Sequence, residues 1–223
     1  MKRATKAVIG LMLATAVWIS PLQAQDEKVN TNIGGVVSVP MNPTARFVHL
    51  GWGTNVGIGY NFHPRNSVIG EFMWNRVYAT AGAIDPIRNV LGSRKVNGTA
   101  DVFAVTGNYR YELRGKLLGT YLIGGGGWYH RAASLSTKIP SGTVAVCNPI
   151  YTWWGYNCAG GIVSSDKTLA SAHSNAFGGN GGVGFTWRVG EAPYRLYVEA
   201  RYHYAPNTHF NTELIPITFG IRY

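Results

Sequence analysis

From Asn211 to Tyr223 the chain reads N-T-E-L-I-P-I-T-F-G-I-R-Y, and apolar residues fall on every second position. Ile215, Ile217, Phe219, Ile221 and Tyr223 alternate with Pro216, Thr218, Gly220 and Arg222. Successive side chains of a strand point to opposite faces. One face of this segment is therefore greasy, and the other is small, polar or charged. The same alternation recurs upstream. In 50–62, Trp52, Thr54, Val56, Ile58, Tyr60 and Phe62 oppose Gly51, Gly53, Asn55, Gly57, Gly59 and Asn61. In 194–204, Leu196, Val198, Ala200, Tyr202 and Tyr204 oppose Arg195, Tyr197, Glu199, Arg201 and His203.

Alternation and turn residues together predict eight strands, at about 32–39, 50–62, 67–78, 99–112, 117–131, 174–189, 194–204 and 211–223. The glycines from Gly124 to Gly127 blur the facing of the fifth. The connections after the second, fourth and sixth strands are about four residues each, whereas 79–98 and 132–173 are long. Short turns on one rim and long loops on the other fit a membrane barrel. A water-soluble eight-stranded barrel would carry charges on its outward faces. These faces carry Phe, Tyr, Trp, Ile and Val. Tyr60, Phe62, Tyr109, Tyr111, Trp187 and Tyr223 also gather beside the short-turn rim, as an aromatic girdle requires.

Composition narrows the class further. Only 13% of residues are charged, 13% are aromatic, and there are 29 glycines. Beyond the first 24 residues no apolar run approaches the roughly 18 residues of a membrane helix, and no long stretch has a convincing helical period. A membrane-spanning chain must pair all its backbone groups, which leaves helices or closed barrels. The expected fold is all-β, an eight-stranded antiparallel up-and-down transmembrane β-barrel over residues 25–223. Residues 1–24 read as a signal peptide: Lys2, Arg3 and Lys6 precede an apolar run, and Ala24 stands at the expected cut. The formal net charge of +10 is poor support for nucleic-acid binding, because much of it falls inward or in turns. It favours contact with anionic lipopolysaccharide.

With these residues in view, the chain resembles the small outer-membrane β-barrel proteins of Gram-negative bacteria, of the OmpA/OmpX-like kind. The resemblance rests on the leader, the alternating strands and the terminal I-P-I-T-F-G-I-R-Y, and it covers nearly all of residues 25–223. It implies a cell outer membrane location, both termini in the periplasm, and the loops 79–98 and 132–173 outside the cell. It also implies that Phe219, Gly220, Ile221 and Tyr223 form the signal read by the barrel assembly machinery. Outer-membrane lipid and lipopolysaccharide are the expected surroundings, and a monomer the expected state.

The candidate chemistry lies in the lumen and the longest loop. Glu71, Arg110, Arg188, Arg195, Glu199, Arg201, His203 and Arg222 fall on inward faces. An eight-stranded barrel has room for little more than side chains, and buried charges persist when paired. The expected interior is a plug of Arg–Glu pairs. The alternative is a narrow anion-preferring channel, since Arg110, Arg188, Arg195 and Arg222 all fall near the short-turn rim. Cys147 and Cys158, the two cysteines of the chain, lie close together in the longest loop of an exported chain, which favours a disulfide. Closing so short a ring stabilises a loop by about 2–3 kcal/mol. A barrel-embedded lipid-modifying hydrolase is the weakest alternative. His173 and Ser174 are adjacent and so face opposite ways, and no acidic residue is evident on the outward wall to orient a base. No catalytic, cofactor or metal residues are expected. The expected function is structural or surface-interaction, with the extracellular loops carrying any binding.

Overall fold

The computed structural model describes residues 28–91, 96–114, 117–137, 142–150, 155–163, 168–190, 192–207 and 211–223, with 142–150 and 155–163 described as backbone. The leader expected at 1–24 lies outside the described residues. Among the described residues, ten strands and one α-helix follow in order, with a short 3-10 helix (Thr44–Arg46) between the first two strands: β1 (Val29–Pro40), β2 (Gly51–His63), β3 (Asn66–Tyr78), α1 (Ala81–Leu91), β4 (Val96–Arg114), β5 (Leu118–Thr137), β6 (Gly142–Ile150), β7 (Gly155–Val163), β8 (Thr168–Arg188), β9 (Arg195–Ala205) and β10 (Thr212–Arg222).

Eight of these strands close on themselves in the order β1-β10-β9-β8-β5-β4-β3-β2, every pair antiparallel. Closure joins β1 to β10, with Ile33 opposite Ile221 and Val37 opposite Ile217. Among the described residues the ladder has no free edge at the seam. β6 and β7 form a separate two-stranded hairpin between β5 and β8. The connections 64–65, 115–117 and 189–194 lie on one rim, and 41–50, 79–95, 138–167 and 206–211 on the other, the last of these no longer than 189–194.

The facing follows the alternation. On β2, Trp52, Val56, Ile58, Tyr60 and Phe62 are exposed on the outer wall, while Gly53, Asn55 and Gly59 are buried. On β9, Arg201 and His203 are buried inward and Tyr202 and Tyr204 are exposed. The glycine run of β5 keeps a single register through its whole length: Gly125 pairs with Asn108 and Asn180, and Gly126 with Gly107 and Gly179. Inward glycines let backbones approach. A Cβ on Gly127 would sit 2.0 Å from the carbonyl oxygen of Val105.

Three features depart from the sequence expectation. First, the connection 79–98 holds α1, stoppering the long-loop end. Its Ile84 and Ile87 are buried against Val77, Val96, Ala100, Val102, Ala133, Leu135 and Leu214. Thr80 begins the helix, its Oγ1 accepting from the Ala83 N–H at 3.3 Å. Arg88 ties it to β4 through Val96 O at 3.2 Å. The helix has only eleven residues and contains Pro86, so its period is too short to register in sequence. Second, the connection 132–173 is largely strand. β5 runs to Thr137, β8 starts at Thr168, and the β6–β7 hairpin fills part of the gap. Third, β4, β5 and β8 span 19, 20 and 21 residues against 11–13 for the other barrel strands. These three rise above the long-loop rim as a wall.

Candidate functional site

The lumen is filled in three layers. Nearest the long loops is the apolar layer under α1. The middle layer is ionic. Arg201 on β9 donates from Nη1 and Nη2 to Glu71 on β3, at 2.5 and 2.8 Å, and from Nε to Glu199. Glu71 also accepts from the Nδ2 groups of Asn32 at 3.0 Å, Asn55 at 3.4 Å and Asn108 at 2.6 Å. Glu199 accepts from the Tyr121 hydroxyl at 2.8 Å. Tyr129 shares a 2.9 Å hydrogen bond with His203 Nδ1 and meets its ring edge-on. A cavity of about 10 Å³, the room of one water, is lined in part by Glu71, Thr106, Arg201 and His203. The bidentate fork explains the choice of arginine, since a lysine offers one point charge to one carboxylate.

The third layer lies at the short-turn rim. Arg222, Arg195 and Arg188 stand directly opposite one another on β10, β9 and β8. Arg110 comes from β4 across the lumen, its Nε 3.8 Å from Glu112. Arg222 stacks over the rings of Tyr121 (4.6 Å) and Tyr197 (5.0 Å), and Arg110 over Tyr121 (5.8 Å). Of the eight inward residues expected to form a charge network, Glu71, Glu199, Arg201, His203, Arg110 and Arg222 are buried; Arg195 is half-buried and Arg188 is exposed at the rim. The structure joins Glu71, Arg201 and Glu199 by hydrogen bonds and leaves the arginines in a layer of their own. Sequence reasoning missed Glu112, Tyr121 and Tyr197, which complete that layer, and the asparagines on Glu71. The alternation placed Tyr197, Asn55 and Asn108 on inward faces, but did not fix the facing of Tyr121 on the glycine-blurred fifth strand, nor that any of these residues would meet.

The outer wall is an apolar belt. Ile33, Val56, Ile58, Val68, Phe72, Val105, Leu122, Phe177, Val183, Phe185 and Phe219 are all exposed on it. Contiguous exposed apolar area on this scale needs an apolar surrounding. Towards the long-loop rim the belt gives way to polar–aromatic pairs. Asp101 accepts from Arg76 Nε and Nη2, both at 2.9 Å, and from Trp74 Nε1 at 3.0 Å. Glu213 accepts from the Tyr202 hydroxyl at 2.7 Å. These two carboxylates correct the expectation of an outward wall without acidic residues. Each is already held, Asp101 by an arginine. On β5, His130 bonds Asn175 at 2.7 Å and stacks on Trp128 and His173. His173 faces outward, while Ser174 faces inward and accepts from Arg131 Nε at 2.8 Å. The two share no face. Among the described residues no group of three or more His, Cys, Asp or Glu is placed to hold a metal ion.

Of the terminal residues singled out in sequence, Phe219 and Tyr223 are exposed on the outer wall. Gly220 lies where a Cβ would come within 2.2 Å of Ile33 O and 2.6 Å of the Tyr197 ring, so the seam itself demands a glycine. Cys147 and Cys158 are direct backbone partners in the β6–β7 hairpin. Their side chains lie outside the described residues.

No family model matches the sequence, and no curated protein matches it. Solved structures do match. Ail, the attachment invasion locus protein of Yersinia pestis, determined in complex with the heparin analogue sucrose octasulfate, aligns over 87% of this chain and 97% of its own, at 16% identity and a TM-score of 0.50. The chain has the fold of a small eight-stranded outer-membrane barrel. Neisserial surface protein A aligns over 87% and 92% at 9% identity (TM-score 0.42). The N-terminal barrel domain of Pseudomonas aeruginosa OprF aligns over 87% and 97% at 11% identity (TM-score 0.40). Identities this low speak to the fold, and the closed strand order carries that conclusion independently.

Proposed function

We propose that this protein is exported to the cell outer membrane, is assembled there as a monomeric barrel, and serves as a non-enzymatic surface-interaction protein. The apolar belt supports the location, because it would sit among acyl chains with the polar–aromatic pairs at headgroup level, next to lipopolysaccharide. The short-turn rim and both termini then face the periplasm, and the raised wall faces outward. Phe219, Gly220, Ile221 and Tyr223 serve as the assembly signal. No nucleic-acid partner or cofactor is assigned. The filled lumen supports a closed interior over a conducting one.

One observation carries the interaction reading. β8 pairs with β9 only from Gly179 to Arg188, although the strand begins at Thr168. Among the described residues, 168–178 have no strand partner on that side. These eleven residues span roughly 35 Å at about 3.4 Å each; Asn207 reaches this side at Ser174, its Nδ2 donating to Oγ at 3.1 Å, and elsewhere among the described residues the backbone groups on this side have no partner. Natural sheets blunt such edges unless they are used. Pro and Lys are absent from Leu169 to Gly178, and the one register shift falls at Leu169, at the far end of the edge. An extended segment of a protein partner adds there by backbone hydrogen bonding.

The test is selection of peptides from a displayed random library on the folded barrel in detergent micelles. The selected peptides should favour strand-forming residues and lose binding to a variant with 132–173 replaced by a short turn, while that variant keeps the gel-mobility shift of a folded barrel. Selected peptides that bind the shortened variant equally would overturn the reading.

A further inference from the structure

We infer that the short-turn end of the lumen is a binding site for a phosphate-type oxyanion, held by Arg195, Arg222 and Arg110 with Arg188 at its mouth. The backbone register sets this up. Arg222 opposes Arg195, and Arg195 opposes Arg188, so three inward arginines form one row across three adjacent strands. Like charges directly opposite one another destabilise a sheet. Arg110 enters the same layer from β4, 0% exposed.

Among the described residues, one carboxylate of this layer faces these cations, Glu112, at 3.8 Å from Arg110. The next carboxylate, Glu199, is already bonded to Arg201 and Tyr121. The middle layer does not compensate in full. It holds Glu71 and Glu199 against Arg201 and so carries one net negative charge, whereas Arg110, Arg195 and Arg222 against Glu112 carry two net positive ones. The donors tell the same story. Nε, Nη1 and Nη2 of Arg110, Nε and Nη1 of Arg222, Nη1 of Arg195 and the Tyr197 hydroxyl are all buried without a hydrogen-bond acceptor. Leaving a buried charged donor unpaired costs more than leaving a neutral one. Water satisfies donors but leaves the charge excess in place. An oxyanion satisfies both, and planar guanidinium forks match its oxygens.

Access is from the rim. Arg188 is exposed and Arg195 half-buried, while Arg110 and Arg222 now rest against tyrosine rings. An ion entering between Arg195 and Arg222 draws Arg222 off the face of Tyr197, so binding has a tyrosine signature. The ion goes no further, because Glu71, Glu199 and Arg201 close the lumen behind it. The same chemistry is supplied by free phosphate or by the phosphate of an anionic phospholipid at the rim, and the experiment separates them.

The full barrel is folded in phosphate-free neutral detergent, and thermal unfolding and near-ultraviolet tyrosine dichroism are followed against inorganic phosphate, with chloride at matched ionic strength. Phosphate is expected to raise the midpoint saturably and to shift the tyrosine signal. Arg195→Gln, at the half-buried mouth, should weaken the phosphate midpoint about tenfold. Glu112→Gln, which removes the carboxylate beside Arg110, should tighten it. In phosphate-free micelles doped with phosphatidylglycerol, a rise in wild type that is absent from Arg195→Gln assigns the site to the headgroup; a response to free phosphate alone assigns it to the ion. Identical curves for phosphate and chloride with no lipid response, or equal phosphate responses in wild type and Arg195→Gln, would overturn the inference.

Discussion

Removing Arg201 tests the ionic middle layer. Arg201→Met keeps the length of the side chain but deletes three hydrogen bonds to two buried carboxylates. Glu71 retains the amides of Asn32, Asn55 and Asn108, and Glu199 the hydroxyl of Tyr121. Neither retains a counter-charge within hydrogen-bonding distance. Breaking a buried pair by removing one partner costs about 3–5 kcal/mol, which lowers the folded-to-unfolded ratio by roughly two to three and a half orders of magnitude. The assay is urea unfolding in lipid vesicles, read by gel mobility without boiling and by tryptophan emission. The cause is separable from lost packing. In the triple variant Glu71→Gln, Glu199→Gln, Arg201→Met, no charge is stranded, and replacing a whole ionic cluster by neutral groups is often close to neutral. The triple variant should therefore recover most of the loss. An Arg201→Met barrel within about 1 kcal/mol of wild type, or a triple variant as unstable as the single, would refute the reasoning.

Other expectations follow from the same geometry. Ile84→Ala or Ile87→Ala should destabilise by about 2–5 kcal/mol through the cavity left under α1, measured by the same urea titration. Gly127→Val should fail to give the folded gel species, because its Cβ meets Val105 O. Gly107→Val on the outer wall should fold like wild type, because nothing lies within 4 Å of its Cβ. Cys147 and Cys158 should be bridged, since β6–β7 pairs them directly; alkylation without reductant followed by mass measurement should add no label, and labelling of both thiols would contradict this. Planar bilayers containing the barrel should show no conductance steps, in keeping with the filled lumen.

Where the sequence was readable, it was because two faces differed in polarity. β2, β9 and β10 put Trp, Ile, Leu or Phe on one side and Gly, Asn, Arg or His on the other, so both strand and facing could be read. β5 could not be read through Gly124–Gly127, because four residues without side chains have no faces. The raised parts of β5 and β8 look like loop in sequence for a related reason. Residues such as Ala132, Ala133, Ser134, Ser171 and Ala172 are small on both faces, so alternation vanishes just where the wall leaves the belt. In the site, inward facing was legible for Glu71, Arg201 and Glu199. Their meeting was not, because it depends on the order in which eight strands close. The rim position of Arg110 and Arg222 was legible from their closeness to the tight turns, whereas their meeting with Tyr121 and Tyr197 depends on register, which alternation alone does not set.

The account rests on the partition of β10 between acyl chains and lumen. Single cysteines at Ile215, Pro216, Ile217, Thr218 and Phe219, in a chain with Cys147→Ser and Cys158→Ser, carry a nitroxide whose collisions with oxygen and with a water-soluble nickel complex are measured in bilayers. Oxygen should dominate at 215, 217 and 219 and fall at 216 and 218, with a period of two. A uniform profile, or one with 216 and 218 facing hydrocarbon, would contradict it.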